Sequence, residues 1–142
     1  MIRFIHTEPG EYQELLDIRN KVLRLPLGLN IRDDDLSDED KCHHLAYFDE
    51  LGKIVGGLQI KKINESVYQI RQMAVLSEYQ RQGIGSALIR AAEEFIKQEG
   101  GKQALIEARE NAIPFYSRHG YEVTGNRYFK ITLPHFKMVK NI

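Results

Sequence analysis

Several features that would narrow the function at once are scarce in this chain of 142 residues. Its single cysteine, Cys42, excludes an intramolecular disulfide and fits a reducing compartment. No apolar run approaches the ~20 residues of a membrane-spanning helix, and residues 1–14 do not resemble a signal peptide. Basic and acidic side chains number 20 each, so the net charge favours neither nucleic acid nor a membrane as a partner. We therefore expect a cytoplasmic protein with a single domain over residues 1–142.

The spacing of apolar residues predicts a mixed α/β fold. Strands are predicted at residues 2–6, 44–48, 53–62, 67–76, 102–108, 121–129 and 135–140, and helices at residues 12–23, 86–98 and 111–119. The three consecutive strands should form an antiparallel meander, and the strand after the second helix should return parallel through a right-handed crossover. The alternation of residues 67–76 slips at Gln72-Met73, which indicates a β-bulge, although a wholly buried strand would also explain the apolar run.

A turn with two glycines joins the strand at residues 67–76 to the helix at residues 86–98. Gly83 and Gly85 let the backbone approach a ligand, and the first turn of the helix offers unpaired N–H groups and a positive dipole end. This arrangement suits a phosphate or pyrophosphate. The P-loop pattern is absent, and the dinucleotide pattern G-x-G-x-x-G is incomplete because Leu88 stands at its third glycine. A tight turn without a ligand is the alternative.

Two sequence motifs make the interpretation as a phosphate-binding turn more specific. Gln80, Gly83 and Gly85 satisfy the pattern [Gln/Arg]-x-x-Gly-x-[Gly/Ala]. The second motif follows a predicted strand and consists of Asn111, Ala112, Phe115, Tyr116, Gly120 and Tyr121. Together they resemble the GNAT superfamily of acetyl-CoA-dependent N-acetyltransferases, most strongly over residues 67–123.

The resemblance implies an α/β domain with a mixed, mostly antiparallel central sheet, flanking helices and two strands that splay around the cofactor. In such a fold the loop N–H groups bind the pyrophosphate of acetyl-CoA, and the strand at residues 67–76 pairs with the pantetheine arm. The residues implied to bind the cofactor are Met73, Ala74, Val75, Gln80, Arg81, Gln82, Gly83, Ile84, Gly85, Ser86, Asn111, Phe115 and Tyr116.

The resemblance also implies that Tyr116 is the general acid, because superfamily members commonly place a tyrosine near the coenzyme A sulfur. An ordinary tyrosine pKa of ~10 keeps the phenol protonated near neutral pH. A core aromatic side chain is the alternative interpretation.

The general base is less evident, because the strand at residues 67–76 lacks the glutamate that some superfamily members use. His135, His44 and Glu107 are the candidates, and a water relay is a fourth possibility. Each histidine could instead be structural. The pair His43-His44 has no further ligand at zinc spacing, so we expect no metal.

An acidic segment at residues 33–40 lies where the acceptor-binding loop is expected from the resemblance. It would attract a cationic amine, or it is a solvated loop neutralised by Arg19, Arg24 and Arg32. If those arginines enter the pocket, they favour an acceptor with a carboxylate. The leading hypothesis is acetyl transfer from acetyl-CoA to a primary amine of a small molecule or peptide by direct attack. A non-catalytic acyl-CoA-binding module and a pure interaction domain are the alternatives, and a homodimer is compatible with either.

Overall fold

The computed structural model describes residues 1–8 and 10–142 and places seven strands in one sheet. The strands are β1 (Ile2–Ile5), β2 (His43–Phe48), β3 (Ile54–Lys62), β4 (Val67–Val75), β5 (Gln103–Arg109), β6 (Glu122–Lys130) and β7 (Leu133–Asn141). The helices are α1 (Glu11–Arg19), α2 (Ile84–Gln98) and α3 (Ile113–Arg118). The strand order is β1-β2-β3-β4-β5-β7-β6; β4 and β5 pair in parallel, and the other neighbours are antiparallel. The predicted mixed α/β fold is confirmed.

Strand β3 runs through the middle of the sheet, and α1 packs directly on it. Its residues from Ile54 to Ile60 are buried, as expected for a strand covered on both faces. An ideal Cβ on Gly57 would lie 2.6 Å from both the Leu15 side chain and the Leu45 carbonyl oxygen. Glycine at this position therefore permits the close approach of α1 to the sheet.

Helix α2 follows the glycine loop and begins at Ile84, two residues before the predicted start. It buries one apolar stripe against the sheet, as an amphipathic helix does. The buried residues of this stripe are Ile84, Leu88, Ile89, Ala92 and Ile96. Among residues 1–8 and 10–142, no helix combines the length and apolar character that crossing a membrane would require.

The segment that begins with the first predicted helix consists of three different helical parts. Helix α1 ends at Arg19, a π-helical turn covers Asn20–Arg24, and a 3₁₀ turn covers Leu25–Leu27. Pro26 lies in the last of these turns. Arg24 closes the π-helical turn and is only 6% exposed, so this segment holds a charged side chain inside the protein.

Strands β4 and β5 pair only over their first halves. Their register runs from Val67 opposite Gln103 to Ile70 opposite Ile106, after which β4 continues to Val75 and β5 to Arg109 without pairing. Just beyond the last pair, Gln72 has a φ of 54°, and β4 carries one residue more than β3 across the shift. The bulge predicted at Gln72-Met73 is confirmed, and the two strands diverge there.

Candidate active site

A cavity of about 1180 Å³ opens where β4 and β5 diverge. Its walls come from the second half of β4, the loop after it, the first turn of α2, β5, α3, residues 22–24 and the tip of the β6–β7 hairpin. This volume exceeds the ~300–1,000 Å³ of an ordinary small-molecule site. The cavity therefore has room for two substrates side by side.

The loop between β4 and α2 offers a row of backbone donors to this cavity. The N–H groups of residues 81–86 donate to no backbone carbonyl among the described residues. Arg81 and Gly83 have φ values of 65° and 78°, so the loop turns through left-handed conformations that form anion-binding concavities. With the positive end of the α2 dipole, these donors fit a pyrophosphate group. Arg81 and Arg118 add two cations to the same wall.

Most residues implied to bind the cofactor meet in the cavity lining. They are Met73, Ala74, Val75, Gln80, Arg81, Gly83, Ile84, Gly85, Ser86, Asn111, Phe115 and Tyr116. Gln82 is not part of the lining, and its side chain donates to the Glu78 carbonyl oxygen at 3.4 Å. Gln80 donates to the Val75 carbonyl oxygen at 3.0 Å and so ties the loop to the end of β4.

Tyr116 lies on α3 and presents its hydroxyl group to the cavity. The side chain is 8% exposed, and its hydroxyl has no hydrogen-bond partner among the described residues. In the described chain, Arg19 Nε is the one side-chain polar atom that is both fully enclosed and without a partner. The Tyr116 hydroxyl also has no partner there, so it must be at least partly accessible. Burial raises the pKa of Tyr116 to about 12, so the phenol stays protonated throughout the neutral range.

His135 begins the buried part of β7 and lines the cavity from the opposite strand end. Its Nδ1 lies 2.9 Å from the Leu133 carbonyl oxygen. A carbonyl only accepts, so Nδ1 carries a proton, and in the neutral form of the ring Nε2 has a free lone pair. The residue is only 4% exposed, and it lines the cavity. Nε2 has no hydrogen-bond partner in the part of the chain that the structure describes, yet it is not among the fully enclosed polar atoms that lack one, so it is accessible from the cavity. This tautomer has the form that a general base needs.

His44 lies elsewhere, in a buried polar cluster formed by Tyr12, Arg19, Glu39, His44 and Gln59. Arg19 donates from Nη2 to His44 Nδ1 at 2.9 Å, and His44 Nε2 donates to the Glu39 carbonyl oxygen at 2.9 Å. Both ring nitrogens are thus engaged, and the residue is not part of the cavity lining. Burial lowers the pKa of His44, and the charge of Arg19 adds to the effect. The geometry brings His135, but not His44, to the cavity.

Glu107, the third candidate base, lies on β5, and its carboxylate accepts three hydrogen bonds. Tyr128 donates to it at 2.6 Å, Gln69 at 3.1 Å and Lys130 at 3.2 Å. Burial raises the pKa of this carboxyl, but the hydrogen bond from Tyr128 and the contacts with Lys130 outweigh it, so the pKa is lowered overall. A carboxylate held in this way is a poor proton acceptor.

Arg109, the last residue of β5, is a cavity residue that the sequence analysis missed. It is partly buried, and its one hydrogen bond runs from Nη2 to the Leu23 carbonyl oxygen at 2.8 Å. Burial and the neighbouring charge of Arg24 lower its pKa. Alternation along β5 was the available signal, since Ala104, Ile106 and Ala108 are buried and the residues between them face the other way.

Three of the six acidic side chains at residues 33–40 form ion pairs, namely Asp34, Asp38 and Glu39. Arg24 holds Asp34 through two hydrogen bonds of 2.7 and 3.2 Å. Asp38 accepts from Lys61 at 2.8 Å and lies 3.4 Å from Arg71. Asp34 and Asp35 line the cavity, whereas Arg32 points away to Asp17.

Neither metal nor thiol chemistry has a visible centre in this part of the molecule. The described residues contain no group of three or more His, Cys, Asp or Glu side chains placed to hold a metal ion. Cys42 is buried outside the cavity lining, and burial raises the pKa of its thiol. A raised pKa keeps the thiol in its unreactive protonated form.

Comparison with known proteins resolves the class of protein to which this site belongs. A model of the acetyltransferase (GNAT) family matches residues 9–121. The chain belongs to this family. It is an acyltransferase, and acetyl transfer is the general chemistry that membership supports.

Individual relatives are distant but cover most of the chain. The uncharacterized N-acetyltransferase YjcF of Bacillus subtilis is 26% identical over 104 residues, which make up 72% of this chain and 73% of YjcF. The crystal structure of Escherichia coli ElaA has a TM-score of 0.83 at 18% identity and covers 99% of each chain. An aminoglycoside 6′-N-acetyltransferase, solved in complex with coenzyme A, has a TM-score of 0.78 at 17% identity over 99% of this chain and 96% of its own. The two solved structures share the GNAT fold with this chain.

Proposed function

We propose that this acyltransferase moves an acetyl group from acetyl-CoA to a primary amine by direct attack. One observation carries the proposal. The Tyr116 hydroxyl and His135 Nε2 open into the same cavity that receives the unpaired N–H groups of the glycine loop. An acid, a base and an anion-binding loop thus converge on one space, which is what transfer from a phosphorylated thioester requires.

The donor would be held mainly by main-chain groups. Residues 81–86 supply donors for the pyrophosphate, and the unpaired side of β4 from Met73 to Val75 supplies groups for the pantetheine arm. The coenzyme A in the structure of the aminoglycoside enzyme supports this assignment, since that enzyme shares the fold. Asn111 and Phe115 also line the donor side of the cavity.

The chemical step needs two proton movements. The amine nitrogen attacks the thioester carbonyl carbon, so that a C–N bond forms and the C–S bond breaks. In this assignment His135 Nε2 takes the proton released by the amine, and Tyr116 gives a proton to the sulfur as it leaves. The buried Cys42 takes no part, so no acetylated enzyme forms. Free coenzyme A and the N-acetyl product result.

The first test is calorimetric titration with acetyl-CoA, followed by thiol release in the presence of amines. Micromolar binding with amine-dependent thiol release supports the proposal. Binding without thiol release from any amine would instead indicate a non-catalytic acyl-CoA-binding module. No binding at millimolar concentration would leave the glycine loop as a turn and refute the donor site.

A matched pair of glycine substitutions separates the loop's function from its conformation. Gly83 and Gly52 have φ values of 78° and 79°, and an added Cβ would meet nothing within 4 Å at either site. Gly83→Glu and Gly52→Glu therefore impose similar backbone strain, but only Gly83 lines the cavity. We expect Gly83→Glu to abolish acetyl-CoA binding and Gly52→Glu to retain it. Equal affinity in both variants would contradict the loop assignment.

A further inference from the structure

We call the part of the cavity lined by residues 22–24, the end of β5 and His135 its acceptor side. One basic side chain on this side forms no ion pair with a carboxylate of the described residues. Glu107 is paired with Lys130, Asp34 with Arg24, and Asp38 with Lys61 and Arg71. Arg109 has no ion-pair partner among residues 1–8 and 10–142. Asp35 also lines the cavity, but it is exposed and accepts from the Ser37 N–H group.

A second guanidinium group lies beside that of Arg109. The Leu23 carbonyl oxygen accepts from Arg109 Nη2 at 2.8 Å and from Arg24 Nη1 at 3.1 Å. Two cations therefore converge on one oxygen, and Asp34 balances one of them. Because both arginines line the cavity and Arg109 has no ion pair of its own within the described chain, its guanidinium group is available to an anionic group in the space beside His135.

We propose that the acceptor carries a carboxylate, which binds Arg109 beside Arg24 while its amine faces His135. The planar guanidinium group matches a carboxylate through paired hydrogen bonds, and the partly buried setting strengthens such a contact. This inference rests on the proposed function for the position of the amine. The substrate class is then an amino acid or a short peptide with an accessible carboxylate.

The strand register brings the two recognition elements together. Arg109 on β5 is paired with His135 on β7, and directly paired residues of antiparallel strands lie on the same face of the sheet. A carboxylate on Arg109 would therefore place an amine a few bonds away near His135 Nε2. A polyamine or an aminoglycoside offers Arg24 and Arg109 only further positive charge, so both are disfavoured.

The carboxylate site can be tested by binding, without reference to turnover. The probes are the twenty proteinogenic L-amino acids, the corresponding amino acid amides, alanyl-alanine and its amide, each titrated into the protein saturated with coenzyme A. We expect at least one free acid to bind, and its amide to bind about ten- to a hundred-fold more weakly. The amino acid and dipeptide arms distinguish the two sources of the carboxylate.

Substitution of Arg109 should remove the preference for the acid. In Arg109→Gln the affinity of acid and amide should converge, and Arg109→Lys should retain part of the preference because the charge remains. Arg90→Gln is the matched control, since Arg90 is exposed on α2 and does not line the cavity. Thermal unfolding of all three variants checks that they are folded.

The outcomes separate this inference from the proposed function. Equal binding of acids and amides, tighter binding of polyamines than of any acid, or an unchanged preference in Arg109→Gln would overturn the carboxylate site. Carboxylate-dependent binding without thiol release would leave the site standing and refute the acetyl-transfer step.

Discussion

Two histidines lie in strands of the same sheet, His44 on β2 and His135 on β7, and both are almost fully buried. Arg19 and a carbonyl oxygen engage both nitrogens of His44, whereas a carbonyl oxygen engages one nitrogen of His135. Their surroundings differ in the same way. In the buried polar cluster Glu39 accepts from Tyr12, Arg19 and Gln59, while the cavity leaves Arg109 without a carboxylate.

Backbone strain separates these two regions as well. The four described non-glycine residues with positive φ are Gln72, Arg81, Ile131 and Thr132. Three of them line the cavity and Thr132 adjoins it, whereas none lies in the buried polar cluster. In the buried polar cluster every polar side-chain atom but Arg19 Nε has a partner and the backbone is relaxed, which suits a structural role. Around the cavity the backbone is strained and polar groups remain available to a ligand.

Substitution of the two histidines tests this comparison with the largest expected effect. His135→Gln should lower kcat by about 10³-fold, since a general base typically contributes 10²–10⁴. His44→Gln should leave kcat within about threefold, because His44 does not line the cavity. Thiol release under saturating acetyl-CoA measures both. A similar loss in the two variants would show that His135 acts through structure.

Arg19→Met should destabilise the fold by about 3 kcal/mol, because it leaves Glu39 buried without its cationic partner. Arg32→Met is the control, since Arg32 forms an ion pair of similar length, 2.7 Å, on the surface. The control should cost less than about 1 kcal/mol. Urea unfolding measures both changes. Equal losses in the free energy of unfolding for the two variants would contradict a structural role for the buried polar cluster.

Tyr116→Phe should reduce kcat by about 10²-fold while the acetyl-CoA affinity stays unchanged, because the variant lacks the acidic proton and keeps the ring. Tyr121→Phe is the control. The Tyr121 hydroxyl donates to Glu93 at 2.8 Å, and the residue lies outside the cavity lining. Steady-state kinetics with calorimetry resolve the two quantities. Wild-type turnover in Tyr116→Phe would remove it as the acid.

His44 should also make stability depend on pH. Its pKa is lowered in the folded protein, so the unfolded chain binds more protons as the pH falls past the ordinary value of 6.5. The free energy of unfolding should therefore fall by on the order of 1 kcal/mol between pH 7 and pH 5. His44→Gln has no proton to gain and should lose less over this window. Parallel curves for the two proteins would exclude His44 as the source.

A substitution at the tip of the β6–β7 hairpin should have the smallest effect, and it should raise the stability of the fold instead of lowering it. Lys130 pairs with Leu133, and the two residues between them, Ile131 and Thr132, have φ values of 47° and 65°. Positive φ is costly for β-branched side chains, so Thr132→Gly should stabilise the fold by about 0.5 kcal/mol. Thermal unfolding measures the change. A decrease in stability would show that the threonine conformation is relaxed.

The sequence was a good guide where short-range patterns determine the structure. The slip at Gln72-Met73 predicted the bulge, and Gly83 marked the loop whose φ values expose its N–H groups. Both features depend on a few neighbouring residues, which the sequence displays directly.

Where long-range contacts decide, the sequence could not separate the alternatives. His44 and His135 look alike in their strands, and the difference arises from Arg19, which is 25 residues from His44. The π-helical turn at Asn20–Arg24 also carries no evident signal, because an added residue per turn does not alter the apolar pattern enough. Arg109 was missed because the predicted strand ended one residue too early.

The separation of β4 from β5 gives the sheet two interior edges, each with backbone groups that no neighbouring strand satisfies. An extended, amide-containing donor on β4 would complete the sheet as an added strand, so its binding and the folding of the protein become linked equilibria. At a hundred times its Kd, such a donor would raise the free energy of unfolding by about 2.7 kcal/mol. In a cell that depletes its thioester pool, the stability of this protein would then fall together with its turnover, because the unliganded form is the less stable one.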